Sequence, residues 1–313
     1  MTCDDHYLNK LRVRGVRHDL LLIVYILTCI HVNPHPSHHH PGKIIASAGL
    51  GFADCVEKSE LRVRAKEALA TLASRKAAAP PEGPRDVTLA GYDCSVLAPE
   101  NPDLLIIILH GFGATKDDFS SIPGQLPLTQ KRVAYVFPQA PAGAMGATAW
   151  WHLDAMKWMM AASGGGDSLA TLIREEPPGL AECRVRLGAL VGEARALCGD
   201  IPTSQVVLAG FSQGAMTAMD LALQLDEPVA GVTMLSGAPI VVDQWAASLK
   251  TKKGLKVFIS HGRSDPVLPF PASGWCRDLL TSGGAAVTFH EHGGGHDLGQ
   301  TTLAPLAAFW SSL

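Results

Sequence analysis

The chain has 313 residues, of which 47% are hydrophobic, enough to bury a substantial globular core. A formal net charge of −3 and the lack of a long basic cluster argue against a nucleic-acid partner. The seven scattered cysteines form no Cys-x-x-Cys pair, so the sequence predicts reduced thiols, and nothing in it calls for a cofactor.

Residues 1–82 are predicted to be an N-terminal extension. Within it, residues 20–30 (LLLIVYILTCI) are apolar and follow Arg12, Arg14 and Arg17, a pattern typical of a targeting or anchoring segment. The run is shorter than the roughly 20 residues that a membrane-spanning helix needs. Membrane contact through this segment is one interpretation. A poorly ordered tail, or a start codon placed too far upstream, is the other.

A linker separates this extension from the rest of the chain. Residues 77–85 (AAAPPEGPR) contain three prolines and a glycine, which cannot continue a helix. The sequence therefore predicts one catalytic domain over residues 83–313. We expect this domain to be cytoplasmic, with targeting or anchoring through the extension as the alternative.

Beyond the linker, short apolar runs alternate with helical patterns. A hairpin is predicted over residues 87–97, with its turn at Ala90 and Gly91. Nearly continuous apolar runs are typical of strands buried on both faces of a parallel sheet. Such runs occur at residues 104–109, 132–137, 205–209, 229–235, 255–260 and 286–290, and helices are predicted within residues 180–197 and 216–225. This alternation predicts an α/β fold with a mainly parallel central sheet flanked by helices.

Ligands of such sheets bind beyond the carboxyl ends of the strands, so the residues after each strand carry most weight. Ser212 lies in GFSQG (residues 210–214), between a predicted strand and a predicted helix, which is the setting of a nucleophile elbow. Asp265 and His296 follow two later strands. The order Ser, Asp, His is that of the α/β-hydrolase fold, which we therefore expect.

The types of these residues predict a separate catalytic role for each of them. Ser212 would attack a carbonyl carbon, His296 would take its proton, and Asp265 would orient the imidazole. The developing oxyanion needs preorganised donors, and the main-chain N–H groups of Phe112 and Gln213 are the candidates.

Three alternatives stay open at this point. Asp297, next to His296, is a second candidate for the acid partner. His290, His292 and His296 in HEHGGGHD offer ligands for a metal-dependent hydrolase. A non-catalytic binding module on the same fold is the third alternative.

Seven motifs occur in one order along the second part of the chain: LHGFGA (109–114), FPQAP (137–141), WWHLD (150–154), GFSQGAM (210–216), LSGAP (235–239), SHGRSDPVLP (260–269) and GGGHDLG (293–299). With them the chain resembles the phospholipase/carboxylesterase family of α/β hydrolases, which includes acyl-protein thioesterases and lysophospholipases. The resemblance implies a metal-independent serine esterase with the triad Ser212, Asp265 and His296 and an oxyanion pocket at Phe112 and Gln213. Its substrate would be a small-molecule ester or an acyl-lipid, and an acylated protein is the alternative.

Residues 156–178 resemble bacterial carboxylesterases more than eukaryotic thioesterases, which favours ester hydrolysis over acyl-protein thioester hydrolysis. Trp151, Met156 and Met159 lie in or beside this apolar stretch and are expected to contact the substrate, since flexible methionines adapt to different acyl chains. The alternative is that they pack beneath the loop as ordinary core residues. The sequence does not indicate an oligomeric state.

Overall fold

The computed structural model describes residues 83–313, except residues 127, 129, 144, 145, 164 and 165. The predicted extension, residues 1–82 with its targeting or anchoring segment, lies outside the described residues. In the described part of the chain, none of the helices has the length and hydropathy that a membrane crossing requires.

The first described elements form the predicted hairpin. Strands β1 (Arg85–Leu89) and β2 (Tyr92–Leu97) pair in antiparallel orientation. Ala90 and Gly91 between them have φ values of 48° and 76°. Positive φ at both central residues is what a two-residue hairpin turn of this kind requires, so the local sequence positions the hairpin.

One mixed sheet contains these two strands and six others. The others are β3 (Leu104–Leu109), β4 (Val133–Pro138), β5 (Val206–Phe211), β6 (Gly231–Leu235), β7 (Lys256–Gly262) and β8 (Ala286–His292). The strand order is β1-β2-β4-β3-β5-β6-β7-β8, and β2 is antiparallel to both neighbours while the other pairs are parallel. This confirms the predicted α/β fold with a mainly parallel sheet.

Helices occupy the connections between strands. They are α1 (Ile122–Gln125), α2 (Ala155–Ser163), α3 (Gly166–Leu172), α4 (Leu180–Leu197), α5 (Gln213–Gln224), α6 (Val242–Ser248), α7 (Phe270–Ser282) and α8 (Leu303–Ser311). The apolar periodicity predicted α4 correctly. Helix α5 begins three residues before the predicted start, because its first turn follows Ser212 directly.

The central strands are apolar throughout because both faces of the sheet are covered. Every residue of β3 is buried. Alternate residues of this strand belong to two different core clusters, Leu105, Ile107 and Leu109 to one and Leu104, Ile106 and Ile108 to the other. The first cluster includes the buried face of α4, and the second includes Phe309 and Trp310 of α8. The strand therefore needs apolar side chains at every position.

Two glycines let α5 begin in direct contact with β3 and β5. A Cβ atom on Gly210 would lie 2.3 Å from the carbonyl oxygen of Gly214. A Cβ on Gly214 would lie 2.1 Å from the carbonyl oxygen of Leu109. Both distances are far inside van der Waals contact, and the atoms met are backbone, which cannot rotate away. Only glycine fits at these two positions.

Replacing Gly214 with alanine is expected to destabilise the protein severely. The added methyl group must push α5 away from β3, so we expect a loss of more than about 4 kcal/mol in the free energy of unfolding, or no soluble protein. Thermal unfolding followed by circular dichroism measures this loss.

Gly192→Ala is the matched control. Gly192 lies inside α4, and a Cβ atom added to it would have no neighbouring atom within 4 Å. Alanine in a helix interior is favoured over glycine by about 1 kcal/mol, so this variant should unfold at the same or a slightly higher temperature. Equal stability of the two variants would contradict the packing argument.

Candidate active site

Ser212 occupies the turn between β5 and α5 in a backbone conformation that few residues adopt. Its φ and ψ angles are 53° and −119°. Non-glycine residues rarely have positive φ, and such strain persists only where the surrounding structure holds it. Here the Ser212 N–H donates to the carbonyl oxygen of Leu235 at 2.8 Å. The turn presents the hydroxyl at the carboxyl ends of the strands, the geometry of a nucleophile elbow.

The structure brings the three predicted triad residues together. His296 Nε2 lies 3.0 Å from Ser212 Oγ. On the other side of the ring, His296 Nδ1 lies 2.7 Å from Asp265 Oδ2. Residues separated by 84 and 31 positions in the chain thus form one hydrogen-bonded line. Such a line can pass a proton from the hydroxyl to the imidazole while the carboxylate faces the far nitrogen.

Asp265 is held as a carboxylate by its hydrogen bonds. Burial raises its pKa, but the hydrogen bonds from His296 and from the N–H groups of Leu268 and Val267 outweigh burial, so the pKa lies below its usual value. Both N–H groups donate to Asp265 Oδ1 at 2.8 Å. Since an ionised carboxylate only accepts, His296 Nδ1 must carry the proton in this bond and Nε2 is left to accept from the serine.

A second histidine, His261, contacts the same carboxylate and was not singled out from the sequence. Its ring is fully buried, and Nε2 lies 2.9 Å from the carbonyl oxygen of Leu268 and 3.3 Å from Asp265 Oδ2. Burial lowers the pKa of His261 despite these two acceptors. The neutral ring therefore carries its proton on Nε2, which donates to Leu268 O and lies close to Asp265 Oδ2. Its place directly after the strand predicted at residues 255–260 was the signal that could have indicated it.

The two predicted oxyanion donors, the main-chain N–H groups of Phe112 and Gln213, have no acceptor among the described residues. Gln213 is the first residue of α5, where helix N–H groups have no partner inside the helix. Phe112 lies in the loop that follows β3, and Gln213 begins the helix that follows β5, so both groups are near the carboxyl ends of strands.

His110 orients the peptide that carries the Phe112 donor. Its Nδ1 lies 2.8 Å from the carbonyl oxygen of Gly111, and its Nε2 accepts the Ala140 N–H at 3.0 Å. Burial lowers the pKa of His110, which keeps the ring neutral and able to donate on one side and accept on the other. The Gly111 carbonyl and the Phe112 N–H point in opposite directions from one planar peptide, so fixing the first fixes the second.

Phe211 lies next to the imidazole of His296 and contacts a second phenylalanine, Phe119. The Phe211 ring centroid is 4.9 Å from that of His296 and 6.0 Å from that of Phe119. Neither phenylalanine was predicted from the sequence to belong to the site, although Phe211 directly precedes Ser212. The pair gives the His296 side of the site an apolar wall.

The three predicted substrate contacts lie in different surroundings. Trp151 is only 3% exposed, and its Nε1 donates to Thr217 Oγ1 at 3.0 Å within the core. Met156 is 66% exposed and lines an open cavity between α2 and α3 together with Met160 and Leu172. Met159 lies on α2, but its side chain is outside the described residues. Contact of these residues with substrate stays a prediction.

Asp297, the alternative acid, makes local contacts instead of reaching the imidazole beside it. Its two carboxylate oxygens accept the N–H groups of Gly295 at 3.0 Å and Gly299 at 2.7 Å. These bonds close the turn that carries His296. The arrangement favours a role for Asp297 in shaping the loop.

The histidines of HEHGGGHD face different partners. His290 Nε2 lies 3.3 Å from Thr301 Oγ1, and His292 Nδ1 accepts the Gly294 N–H at 3.2 Å. His296 belongs to the line with Ser212. In the part of the chain that the structure describes, no three His, Cys, Asp or Glu side chains are arranged to hold a metal ion.

Solved structures share this fold. The crystal structure of esterase PE8 is similar with a TM-score of 0.58 and 23% identity, covering 74% of this chain and 98% of its own. A carboxylesterase from Mesorhizobium loti is similar with a TM-score of 0.59 and 18% identity, over 74% of this chain and all of the other (100%). At these identities the likeness supports the fold alone.

Sequence comparison identifies the family. Acyl-protein thioesterase 1 of Neurospora crassa is 26% identical over 197 residues, which is 61% of this chain and 79% of that protein. The sequence profile described as phospholipase/carboxylesterase matches residues 94–313, well over half of the chain. With its fold and the line of Ser212, His296 and Asp265, the chain belongs to the phospholipase/carboxylesterase family of hydrolases.

Proposed function

We propose that this hydrolase cleaves carboxylic esters through an acyl-enzyme intermediate on Ser212. One observation carries the proposal: His296 contacts Ser212 Oγ at 3.0 Å on one side and Asp265 at 2.7 Å on the other. A serine hydroxyl is a weak nucleophile until a neighbouring base takes its proton. The hydrogen-bonded line supplies that base, and Asp265 holds it in the useful tautomer.

The two half-reactions use the same groups twice. Ser212 Oγ bonds to the carbonyl carbon while its proton moves to His296 Nε2, and the carbonyl oxygen becomes an oxyanion that the N–H groups of Phe112 and Gln213 bind. When the tetrahedral intermediate collapses, the alcohol leaves with the proton from His296. Water then attacks the acyl-serine with His296 again as the base, which releases the acid and restores the hydroxyl.

Acyl-protein thioester hydrolysis is the second candidate. It is favoured by the similarity to proteins named acyl-protein thioesterase 1, such as the one from Debaryomyces hansenii with 26% identity over 65% of this chain. The two reactions differ in the leaving group. A thiolate, with a pKa of about 8.5 for the free thiol, leaves without protonation far more readily than an alkoxide. Ester cleavage therefore depends more strongly on His296 as an acid.

The described cysteines support a reducing compartment for the catalytic domain, which we propose is the cytoplasm. Cys94, Cys183, Cys198 and Cys276 are unpaired and buried. Burial raises the pKa of Cys94 to about 11 and that of Cys276 to about 12, so neither forms a reactive thiolate. Small-molecule esters or acyl-lipids are the proposed substrates, and residues 1–82 would supply any targeting or membrane contact.

Removing either end of the triad is expected to abolish ester hydrolysis. Ser212→Ala should lower kcat for p-nitrophenyl butyrate by about 10^6-fold, because the nucleophile is gone. Asp265→Asn should lower kcat by about 10^4-fold, because the amide stabilises the wrong tautomer of His296. Steady-state kinetics measures both losses, with the unfolding temperature as a check on the fold.

Asp297→Asn is the matched control for the acid. It changes the neighbouring carboxylate on the same loop and should cost less than about tenfold in kcat, since it is outside the proton path. A larger loss for Asp297→Asn than for Asp265→Asn would move the acid role to Asp297. Turnover that survives Ser212→Ala but disappears with EDTA would instead favour a metal-dependent reaction.

A comparison of substrates separates the two candidate functions. We expect kcat/KM for p-nitrophenyl butyrate and lysophosphatidylcholine to exceed that for a palmitoyl-cysteine peptide by at least about tenfold, a difference of about 1.4 kcal/mol in transition-state binding. The reverse order would make thioester hydrolysis the main activity. Ser212→Ala, assayed in parallel, separates hydrolysis at the site from background thioester breakdown.

A further inference from the structure

Residues 148–151, here called the tryptophan strap, are hydrogen-bonded to the loop after β3. Thr148 O accepts the Gly113 N–H at 2.8 Å, and Thr148 Oγ1 donates to Ala114 O at 2.6 Å. The indole Nε1 of Trp150 donates to the carbonyl oxygen of His110 at 2.8 Å. The strap therefore holds the loop on both sides of Phe112.

The same strap is hydrogen-bonded to the first turn of α5. The side chain of Gln213 accepts the Trp150 N–H at 3.2 Å through Oε1 and donates to Trp151 O at 2.8 Å through Nε2. The indole Nε1 of Trp151 donates to Thr217 Oγ1, which in turn donates to Gln213 O at 2.7 Å. Three hydrogen bonds thus join the strap to α5, and a fourth, from Thr217 to Gln213 O, lies within the helix and holds the Thr217 hydroxyl in place.

Water is excluded from these contacts. Gln213 is fully buried, and Trp150, Trp151 and Thr217 are 4%, 3% and 2% exposed. A buried donor or acceptor that loses its partner cannot replace the hydrogen bond with one to water. Movement away from the bonded geometry is therefore costly. A primary amide in the first turn of a helix ordinarily points to water. Here both of its ends are used by the backbone of a segment more than 60 residues away.

We propose that the tryptophan strap fixes the distance between the two oxyanion donors, with the Gln213 carboxamide and the Trp150 indole as positioning residues. The inference rests on the proposed function, since it assigns the N–H groups of Phe112 and Gln213 to the oxyanion. Phe112 lies in the loop after β3 and Gln213 in the first turn of the helix after β5, and these two strands are neighbours in the sheet. Oxyanion stabilisation depends on donors placed before the reaction, and small misplacements are costly. The strap bonds to this loop and to this helical turn, and so links one donor to the other.

Two variants loosen the strap while keeping its volume. Gln213→Met has a side chain of similar length that cannot bond to Trp150 N or Trp151 O. Thr217→Val is isosteric and removes the hydroxyl that supports the Trp151 indole. We expect each to lower kcat for p-nitrophenyl butyrate by about 10- to 100-fold while KM changes by less than about threefold. Affinity for a trifluoromethyl ketone, which forms an oxyanion adduct with an active-site serine, should fall in proportion to kcat/KM.

Trp310→Phe is the control for general destabilisation. Its indole Nε1 donates to Thr233 Oγ1 at 2.9 Å and is 1% exposed, so it matches the Trp151 bond to Thr217 in donor, acceptor type and burial. It belongs to the core cluster on the opposite face of the sheet. Phenylalanine there also leaves a cavity, so it should lower the unfolding temperature at least as much as the Thr217→Val change and still leave kcat within about twofold.

The outcomes separate the strap from the proposed function. Reduced kcat with matching loss of ketone affinity in both strap variants, and normal kcat in Trp310→Phe, supports the inference. Wild-type kcat in the strap variants, while Ser212→Ala is inactive, overturns the strap alone. An equal kcat loss in Trp310→Phe also overturns it, because the effect is then general. Turnover that persists in Ser212→Ala overturns the proposed function and the strap together.

Discussion

The close contact between the start of α5 and strands β3 and β5 is the constraint on which the site depends. Backbone atoms approach within a distance that only Gly210 and Gly214 permit. The chain must therefore reverse over Ser212, whose φ of 53° costs about 1–3 kcal/mol for a residue with a side chain. The same reversal lifts Ser212 Oγ above the sheet and leaves the Gln213 N–H unpaired beside it. The proposed nucleophile and one of the two proposed oxyanion donors thus follow from one packing requirement.

Burial keeps two histidines at the site neutral, next to a carboxylate that stays ionised. His110 and His261 are buried, and burial lowers the pKa of each, so both rings act as neutral hydrogen-bonding groups. Asp265 stays ionised because its hydrogen bonds outweigh burial. His296, with a side chain 17% exposed, lies between this carboxylate and Ser212. The neutral rings bond to the surrounding backbone, and His296 is the imidazole that we propose exchanges the proton with Ser212.

The sequence predicted the elements whose signals are local. Strand β3 was located to the residue because a six-residue apolar run needs no partner to be recognised, and the turn at Ala90 and Gly91 carries its own conformational signal. Helix α3 was missed, since GDSLATL shows little apolar periodicity. The contacts of His261 with Asp265 and of Gln213 with the strap could not be predicted, because a side chain's long-range partner leaves no periodic pattern. The order Ser, Asp, His can be recognised along the chain, whereas the supporting hydrogen bonds are apparent only in the folded structure.

A covalent acyl group on Ser212 distinguishes this mechanism from direct attack of water on the ester. The protein would be mixed with p-nitrophenyl butyrate, quenched in acid within the first turnovers, and digested for mass spectrometry. We expect one butyryl group per chain, on the peptide that contains Ser212. Where deacylation is the slower step, this group should appear together with a burst of p-nitrophenol equal to the enzyme concentration. A butyryl group on another residue, or a burst of p-nitrophenol with no butyryl group on the Ser212 peptide, would contradict this mechanism.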